Sequence, residues 1–307
     1  MAIWTLLWGL MGCGPSDDAP ADTELSPPAP QEVVDTTVLA PPEPVDVLFV
    51  MGQRPSMTPV QEALANDVDA MLGVLVERGI DHHVSVITTD GSDAGELVVV
   101  DGHRFVSAET PDAAAVLAEM IRVGSNGANE AGLASIYAAL ELEPSFEDGS
   151  FRPEATLRTL IVTDTDDASP VSTLTVDEFV RWYDGLEQGV DRRTLDVVGP
   201  PLGGRYQDAV ERLGGTYTAL DEVEWDEFLA GFGDLAARTT QEVFLSQPAV
   251  PDTIEVRARQ IADDAVLQLR SDEWTYDLAR NSVTLDADQL STFDQVELSY
   301  QAAAAAR

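Results

Sequence analysis

Lysine is absent from this 307-residue chain, and all 17 basic residues are arginine. Against 55 acidic residues they leave a formal net charge of −38. Such a surface repels nucleic acid and anionic lipid head groups, so neither is expected as a direct partner. The acidity itself is read as general solubility rather than as the mark of one acidic-specific partner. A single cysteine excludes an intrachain disulfide. Histidine occurs only three times. His82 and His83 are adjacent, so in a strand they point to opposite faces and cannot share a metal. His103, beside a turn at Gly102, is expected in solvent. After the N-terminus no segment is apolar for long enough to span a bilayer. The HExxH, GxSxG, Walker A and GxGxxG patterns are all missing. What is present is a hydrophobic content of 44%, ample for a core.

The first 13 residues are apolar. Ile3 to Met11 reads as a signal-peptide h-region, ending Leu10-Met11-Gly12-Cys13. This resembles a bacterial lipobox, whose cysteine is lipidated and becomes the mature N-terminus. No arginine precedes the h-region; an upstream start codon would supply one. Gly14 after the cysteine implies an outer-membrane destination, with the protein facing the periplasm or the surface. Residues 14–44 are rich in Pro, Asp, Glu, Ala and Ser and cannot bury enough surface to order themselves. They are expected to form an extended, proline-stiffened tether.

From residue 45 strands and helices alternate. Val45 to Met51 is a run of β-branched and large apolar residues ending in Gly52, and a helix opens after Pro55-Ser56-Met57. That reads as a buried parallel strand, a loop and a helix. Thr58 is placed to cap the helix, with Pro59 at its first position and Gln61 closing a capping box. A second strand is expected over His83 to Thr89, a short strand or hairpin over 96–106, and helices over 112–122 and from about 132. Further strands are expected over 157–163, 194–198 and 215–218, with helices over 176–186, 206–213 and 225–236. The alternation predicts an α/β domain over 45–240, built on a doubly wound, mostly parallel sheet. After residue 240 the period becomes two, as in Thr253 to Ala258, Ser282 to Leu285 and Val296 to Tyr300. These predict a small antiparallel β appendage over 241–301. Residues 302–307 are expected to fray.

Val45 to Met57, the loop Gly124 to Gly132, Leu160 to Pro170 and the tail Trp274-Thr-Tyr-Asp-Leu-Ala-Arg-Asn-Ser together resemble the von Willebrand factor A (vWA) domain lipoproteins of bacteria. The likeness covers residues 45 to about 300 and rests on the order of the pieces. It implies a Rossmann-like vWA fold and a non-catalytic module that binds a protein ligand. It also implies a metal-ion-dependent adhesion site, made from an aspartate-x-serine-x-serine motif, a later loop residue and an aspartate after the fourth strand. Here Gly52 stands at the aspartate position and Arg54 at the first serine. Ser56 keeps the second serine. Asn129 and Glu130 occupy the later loop, and Asp164 is retained, followed by Asp166 and Asp167. The ligand-binding set is therefore Gly52, Arg54, Ser56, Asn129, Glu130, Asp164, Asp166 and Asp167.

A divalent cation wants several oxygen ligands with carboxylate charge. Gly52 supplies no carboxylate, and Arg54 repels a cation by about 4 kcal/mol at about 4 Å and an effective dielectric of 20. No cofactor is expected; magnesium enters only if Ser56 and Asp164 still hold it. Asp164 to Asp167 is not a calcium loop, lacking glycine at position six and glutamate at position twelve. Arg54 is a candidate ion-pair partner of Asp164 or Asp166 in place of the metal. Two other readings stand beside the binding module. One is a structural envelope protein that has lost its ligand site. The other is a hydrolase using Asp164 and Asp166, for which no nucleophile or cofactor loop is evident.

Overall fold

The computed structural model describes residues 31–39, 43–93, 95–127, 129–142, 149–170, 172, 174–186, 193–201, 204–237, 240–261, 265–286, 290 and 293–303. Cys13, the lipobox and residues 14–30 of the expected tether lie outside them. Among the described residues no helix is long and apolar enough to cross a membrane.

In chain order the first elements are β1 (Glu32–Val38), β2 (Val45–Met51), α1 (Thr58–Glu77), β3 (His82–Thr88), α2 (Ala113–Ile121) and α3 (Gly132–Tyr137). Next come β4 (Thr156–Val162), α4 (Val176–Asp184), β5 (Arg193–Gly199), α5 (Arg205–Leu213), β6 (Tyr217–Ala219) and α6 (Trp225–Ala237). Six strands close the chain: β7 (Thr240–Phe244), β8 (Glu255–Arg259), β9 (Val266–Gln268), β10 (Trp274–Asp277), β11 (Ser282–Asp286) and β12 (Gln295–Gln301).

Strands β3-β2-β4-β5-β6 form one parallel sheet in that spatial order. Every residue of β2 is buried, as a central strand covered on both faces requires. Its alternate residues serve two cores. Val47, Phe49 and Met51 meet Leu64, Val68 and Met71 of α1, Leu117 of α2 and Phe232 of α6. Leu48 and Val50 meet Ile136 of α3, Phe179 of α4 and Tyr206 of α5. The sheet is therefore doubly wound, as the alternation predicts. Because the chain leaves β2 for β3 on one side and returns to β4 on the other, the strand order reverses between β2 and β4. Their carboxyl ends are where an open α/β sheet places its ligand crevice, at that switch point.

Local details differ from expectation at three places. The 96–106 segment does not form a regular strand. It touches β3 through Val98 N–H to Val86 O and a reciprocal Val84–Val106 pair, and turns tightly at Asp101-Gly102. Asp101 has φ 49° and Gly102 φ 84°, the left-handed pair that a two-residue hairpin turn favours. Thr58 does not cap α1. The helix continues directly from a 3-10 turn at Pro55–Met57, with no side-chain cap. The third difference is β1. Residues 32–38, assigned to the tether by composition, pair antiparallel with β12 along their whole length, from Glu32↔Gln301 to Val38↔Gln295.

The β unit consequently has two sheets, β1-β12-β8-β9 and β10-β11-β7, around one apolar core that includes Val243, Val256, Val283, Leu285, Val296 and Leu298. Asp35 of β1 accepts hydrogen bonds from Ser246 N–H (2.8 Å), Ser246 Oγ (2.7 Å) and Tyr300 OH (2.7 Å), tying the two sheets together. The α/β unit is thus an insertion between the first strand of the β unit and the rest of it. Ala302 and Ala303, expected to fray, donate to Gln31 O and Pro248 O; residues 304–307 lie outside the described set.

A buried carboxyl group sits near the amino end of the central strand β2. Asp46 of β2 is fully buried and bonds Arg152 three ways: from the backbone N–H, from Nε (2.9 Å) and from Nη2 (2.7 Å). Arg152 Nη1 also reaches Asp81 at 2.8 Å. Burial pushes the Asp46 carboxyl up to about 6, with the Arg152 bonds acting the other way. The unfolded side chain releases its proton near 3.9. Between those limits the native state holds a proton that the unfolded state has lost. The stabilisation from that proton is complete below about pH 4 and is lost as pH rises through 6. A carboxyl-carbon NMR titration should place the Asp46 midpoint near 6, and Arg152→Met should raise it; a native midpoint below 4 refutes this account.

Candidate functional site

The crevice at the carboxyl ends of β2, β3 and β4 is built from the loops after each strand. Gly52 N–H donates to Val162 O at 2.8 Å, so the β2 and β4 ends are joined beyond the strands themselves. A Cβ at Gly52 would lie 3.1 Å from Met57 Cγ and 3.2 Å from Thr163 Oγ1. The absence of a carboxylate there therefore goes with tight packing. Gln61, instead of closing a capping box, is buried and turned back: its Nε2 donates to Gly52 O (2.8 Å) and Gly124 O (2.9 Å). Gln53 joins the same two loops, donating to Val123 O and accepting from Gly127 N–H.

Glu130 is buried behind this stitching. Its Oε2 accepts from Thr89 Oγ1 and from Thr163 Oγ1 (3.3 Å), one hydroxyl after β3 and one after β4. Asn129 is exposed and its carbonyl accepts from Gly91 N–H. Asp90, also buried, accepts from Ser92 N–H and Oγ. Sequence reasoning missed Thr89 and Asp90, which carry no motif.

The aspartate run after β4 divides into distinct roles. Asp166 accepts from Arg205 N–H (3.0 Å) and Tyr206 N–H (3.2 Å), so it caps α5. A Cβ at Gly204 would come within 2.0 Å of the Asp166 carboxylate, so glycine makes this approach possible. Asp167 is buried; its Oδ1 accepts from Leu133 N–H (3.2 Å) and Ser169 Oγ (2.7 Å) and its Oδ2 from Arg205 Nε (2.8 Å). Burial raises the Asp167 carboxyl above its usual range, against the pull of these bonds. Ser169 Oγ accepts from Ala134 N–H, and Tyr206 OH from Gly132 N–H. The three N–H donors that open α3, which have no partner within the helix, are thus met by Tyr206, Asp167 and Ser169. Two of the three aspartates are spent on helix N-termini, where the backbone dipole favours negative charge.

Asp164 behaves differently. Its Oδ1, together with Thr165 Oγ1, is buried with no hydrogen-bond partner among the described residues. Buried polar atoms without partners are few in native proteins and mark a place where a donor is wanted. Arg54 and Ser56 both lie exposed on the loop before α1. The Arg54 guanidinium pairs with no carboxylate among the described residues, which overturns the expected pair with Asp164 or Asp166. The cation that meets the aspartates is Arg205, bonded to Asp167 and, through Nη2, to Leu174 O (2.9 Å).

No family model matches the chain, and no curated protein matches it. Among solved structures it is similar to a von Willebrand factor type A protein from Catenulispora acidiphila, at 15% identity over 90% of this chain and 62% of that one, TM-score 0.43. It is also similar to the pilus adhesin SpaC from Lactobacillus rhamnosus GG, at 10% identity over 88% of this chain and 40% of that one, TM-score 0.45. Proximal thread matrix protein 1 from the mussel byssus aligns at 12% identity over 68% of this chain and 51% of that one, TM-score 0.42. The chain spans less than two thirds of the length of each.

The crevice, then, has a firm floor and an open rim. Glu130, Asp166 and Asp167 are held by hydroxyls, helix N–H groups and Arg205. Arg54, Ser56 and Asn129 are exposed, while Asp164 Oδ1 and Thr165 Oγ1 are buried.

Proposed function

We propose that the chain is a non-catalytic protein-binding module of the vWA type, docking its partner on the rim of the switch-point crevice. It is held at the cell envelope by lipid on Cys13, as an outer-membrane lipoprotein facing the periplasm or the surface. The observation that supports docking is the pair of buried oxygens just after β4, Asp164 Oδ1 and Thr165 Oγ1, that have no hydrogen-bond partner among the described residues. A partner donor inserted there satisfies atoms that the described residues leave without a bond.

The adhesion-site metal of the resembled family does not fit the donors present. Gly52 brings no carboxylate, Asp166 is engaged by α5, and Asp167 already has a guanidinium. A divalent cation would have to displace Arg205 or share Asp167 with it, against charge repulsion. Recognition in this reading runs through hydrogen bonds and Arg54, without metal.

A photo-crosslinking amino acid at Asn126, beside the rim, should give one defined adduct with an envelope protein in intact cells. The same group at Asp221, just after the edge strand β6 and two strands beyond β4, should give none. Adducts that are equal at both positions, or absent at Asn126, would refute the docking face. Failure of Cys13→Ser to release the protein from membranes would refute the anchor.

A further inference from the structure

The β unit ends in an open edge. β1 is the outermost strand of the sheet β1-β12-β8-β9 and is paired on one side only, with β12. Two bonds fix which of its backbone groups that pairing uses. Ala302 N–H donates to Gln31 O and Leu39 N–H to Asp294 O, both at 2.9 Å. Antiparallel bonding recurs at every second residue, so Val33, Asp35 and Thr37 also turn their backbone groups to β12. The N–H and C=O groups of Glu32, Val34, Thr36 and Val38 point the other way, where no backbone group among the described residues meets them.

The other sheet ends are shorter or covered. β6, β9, β10 and β7 run three, three, four and five residues. β3 has seven, but Val98 N–H and the Val84–Val106 pair occupy its edge. β1 has seven residues with no proline, lysine or bulge, the usual devices that keep an edge unpaired. Its outward row is exposed, Val34 by 54% and Val38 by 67%. The one charge that points inward, Asp35, is held by Ser246 and Tyr300 of its own chain.

Charge and register decide what fits this edge. A chain of net charge −38 repels a copy of itself over most of its surface. Val34, Thr36 and Val38 make an uncharged, β-branched row that is symmetric about Thr36. Set antiparallel to a copy of itself about that residue, Thr36 meets Thr36 and Val34 meets Val38, and each pair exchanges both of its backbone bonds. Cross-strand Thr–Thr and β-branched pairs stabilise a sheet. Asp35 then lies opposite Thr37. Moving the axis to Asp35 would set two carboxylates directly opposite, which like charge disfavours.

We propose that β1 is a self-association edge, at which two copies of this chain join strand to strand with two-fold symmetry about Thr36 and extend the sheet through both β units. This contact is independent of the docking face on the α/β unit. One strand pair buries less than the about 1,200 Å² of a standard interface, so the dimer is weak and exchanging.

Disulfide trapping of the full chain reads the register directly, because Cys13 is the only cysteine to remove. In a Cys13→Ser background, Thr36→Cys should give a covalent dimer on mild oxidation, the two sulfurs meeting across the axis. Val34→Cys alone should not, since its copy lies four residues, about 13 Å, along the partner strand. Val34→Cys combined with Val38→Cys should crosslink again. Adding Val34→Lys to Thr36→Cys should lower the dimer yield about tenfold without changing the melting temperature, because symmetry counts the change twice. Raising the salt concentration should increase the yield by screening the repulsion between copies. Equal crosslinking through Thr36→Cys and Val34→Cys would mean random collision and overturn the proposal. Absence of the covalent dimer from either Thr36→Cys or the Val34→Cys/Val38→Cys chain would overturn it too.

Discussion

A chain beginning at residue 45 should lose the cooperative melting of its β unit, while one beginning at residue 31 should melt like the full chain. Deleting β1 exposes the edge of β12 over seven paired residues. It removes the half-buried Val33 and Leu39 from the core of the β unit. It also strips Asp35 from Ser246 and Tyr300, leaving Tyr300 OH near the core without its carboxylate acceptor. At ~1 kcal/mol for each half-buried aliphatic and each hydrogen bond, the loss sums to roughly 3–5 kcal/mol. That is a large part of the 5–15 kcal/mol that usually holds a domain together. Differential scanning calorimetry should show the α/β transition surviving in the 45–307 chain and the β transition gone. The single substitution Asp35→Ala should cost about 2 kcal/mol by the same reasoning. Two unchanged transitions in the shorter chain would mean that β1 contributes only surface pairing.

Arg205→Ala should be the most damaging point change in the crevice, at about 3 kcal/mol. Asp167 is fully buried at its side chain, and among the described residues Arg205 is the only cation bonded to it. Removing one partner of a buried pair leaves an uncompensated charge, which costs about 3–5 kcal/mol in other proteins. Here Ser169 and Leu133 N–H still hold the other carboxylate oxygen, which places the loss at the lower end of that range. Denaturant unfolding should report the loss directly. Asp167→Asn in the Arg205→Ala background should recover part of it, because an amide needs no counter-charge. With Arg205 gone, the Asp167 carboxyl, already raised by burial, should rise further. Stability would then increase on acidification, since the folded state would take up a proton that the unfolded state binds only below about pH 4. A double-mutant coupling near zero between positions 167 and 205 would show that the 2.8 Å contact carries no weight.

The parallel sheet was legible because its strands announce themselves chemically. β2 is a near-continuous apolar run and β4 ends in one, Leu160-Ile161-Val162, and each is followed by a helix with one apolar stripe. The crevice was legible as a place, since switch points follow from strand order. The partners inside it were not. Thr58 and Gln61 have the spacing of a capping box, yet Gln61 is pulled into the core by two carbonyls, one of them 63 residues away. Arg54 and Arg205 are equally good cations in sequence; only the fold decides that one faces solvent and the other faces Asp167. Residues 32–38 hold three valines and two threonines, a fair strand signal by composition though without alternation. The proline-rich residues on both sides obscured it, and its pairing partner is more than 250 positions distant.

That distance constrains how the molecule can be made. Tyr300 and Asp35 are 265 residues apart, and closing a flexible loop of that length costs on the order of 5 kcal/mol of chain entropy. If the α/β unit folds first, it brings Val45 and Ala237 into one rigid body, and the loop left to close shortens by about two halvings, worth ~1 kcal/mol. During synthesis β1 emerges early and waits, unpaired, until β12 has left the ribosome. A seven-residue β-branched strand exposed for that long is an aggregation hazard. The run of proline and acidic residues just before it suits a segment that has to stay soluble while its partner is still being made.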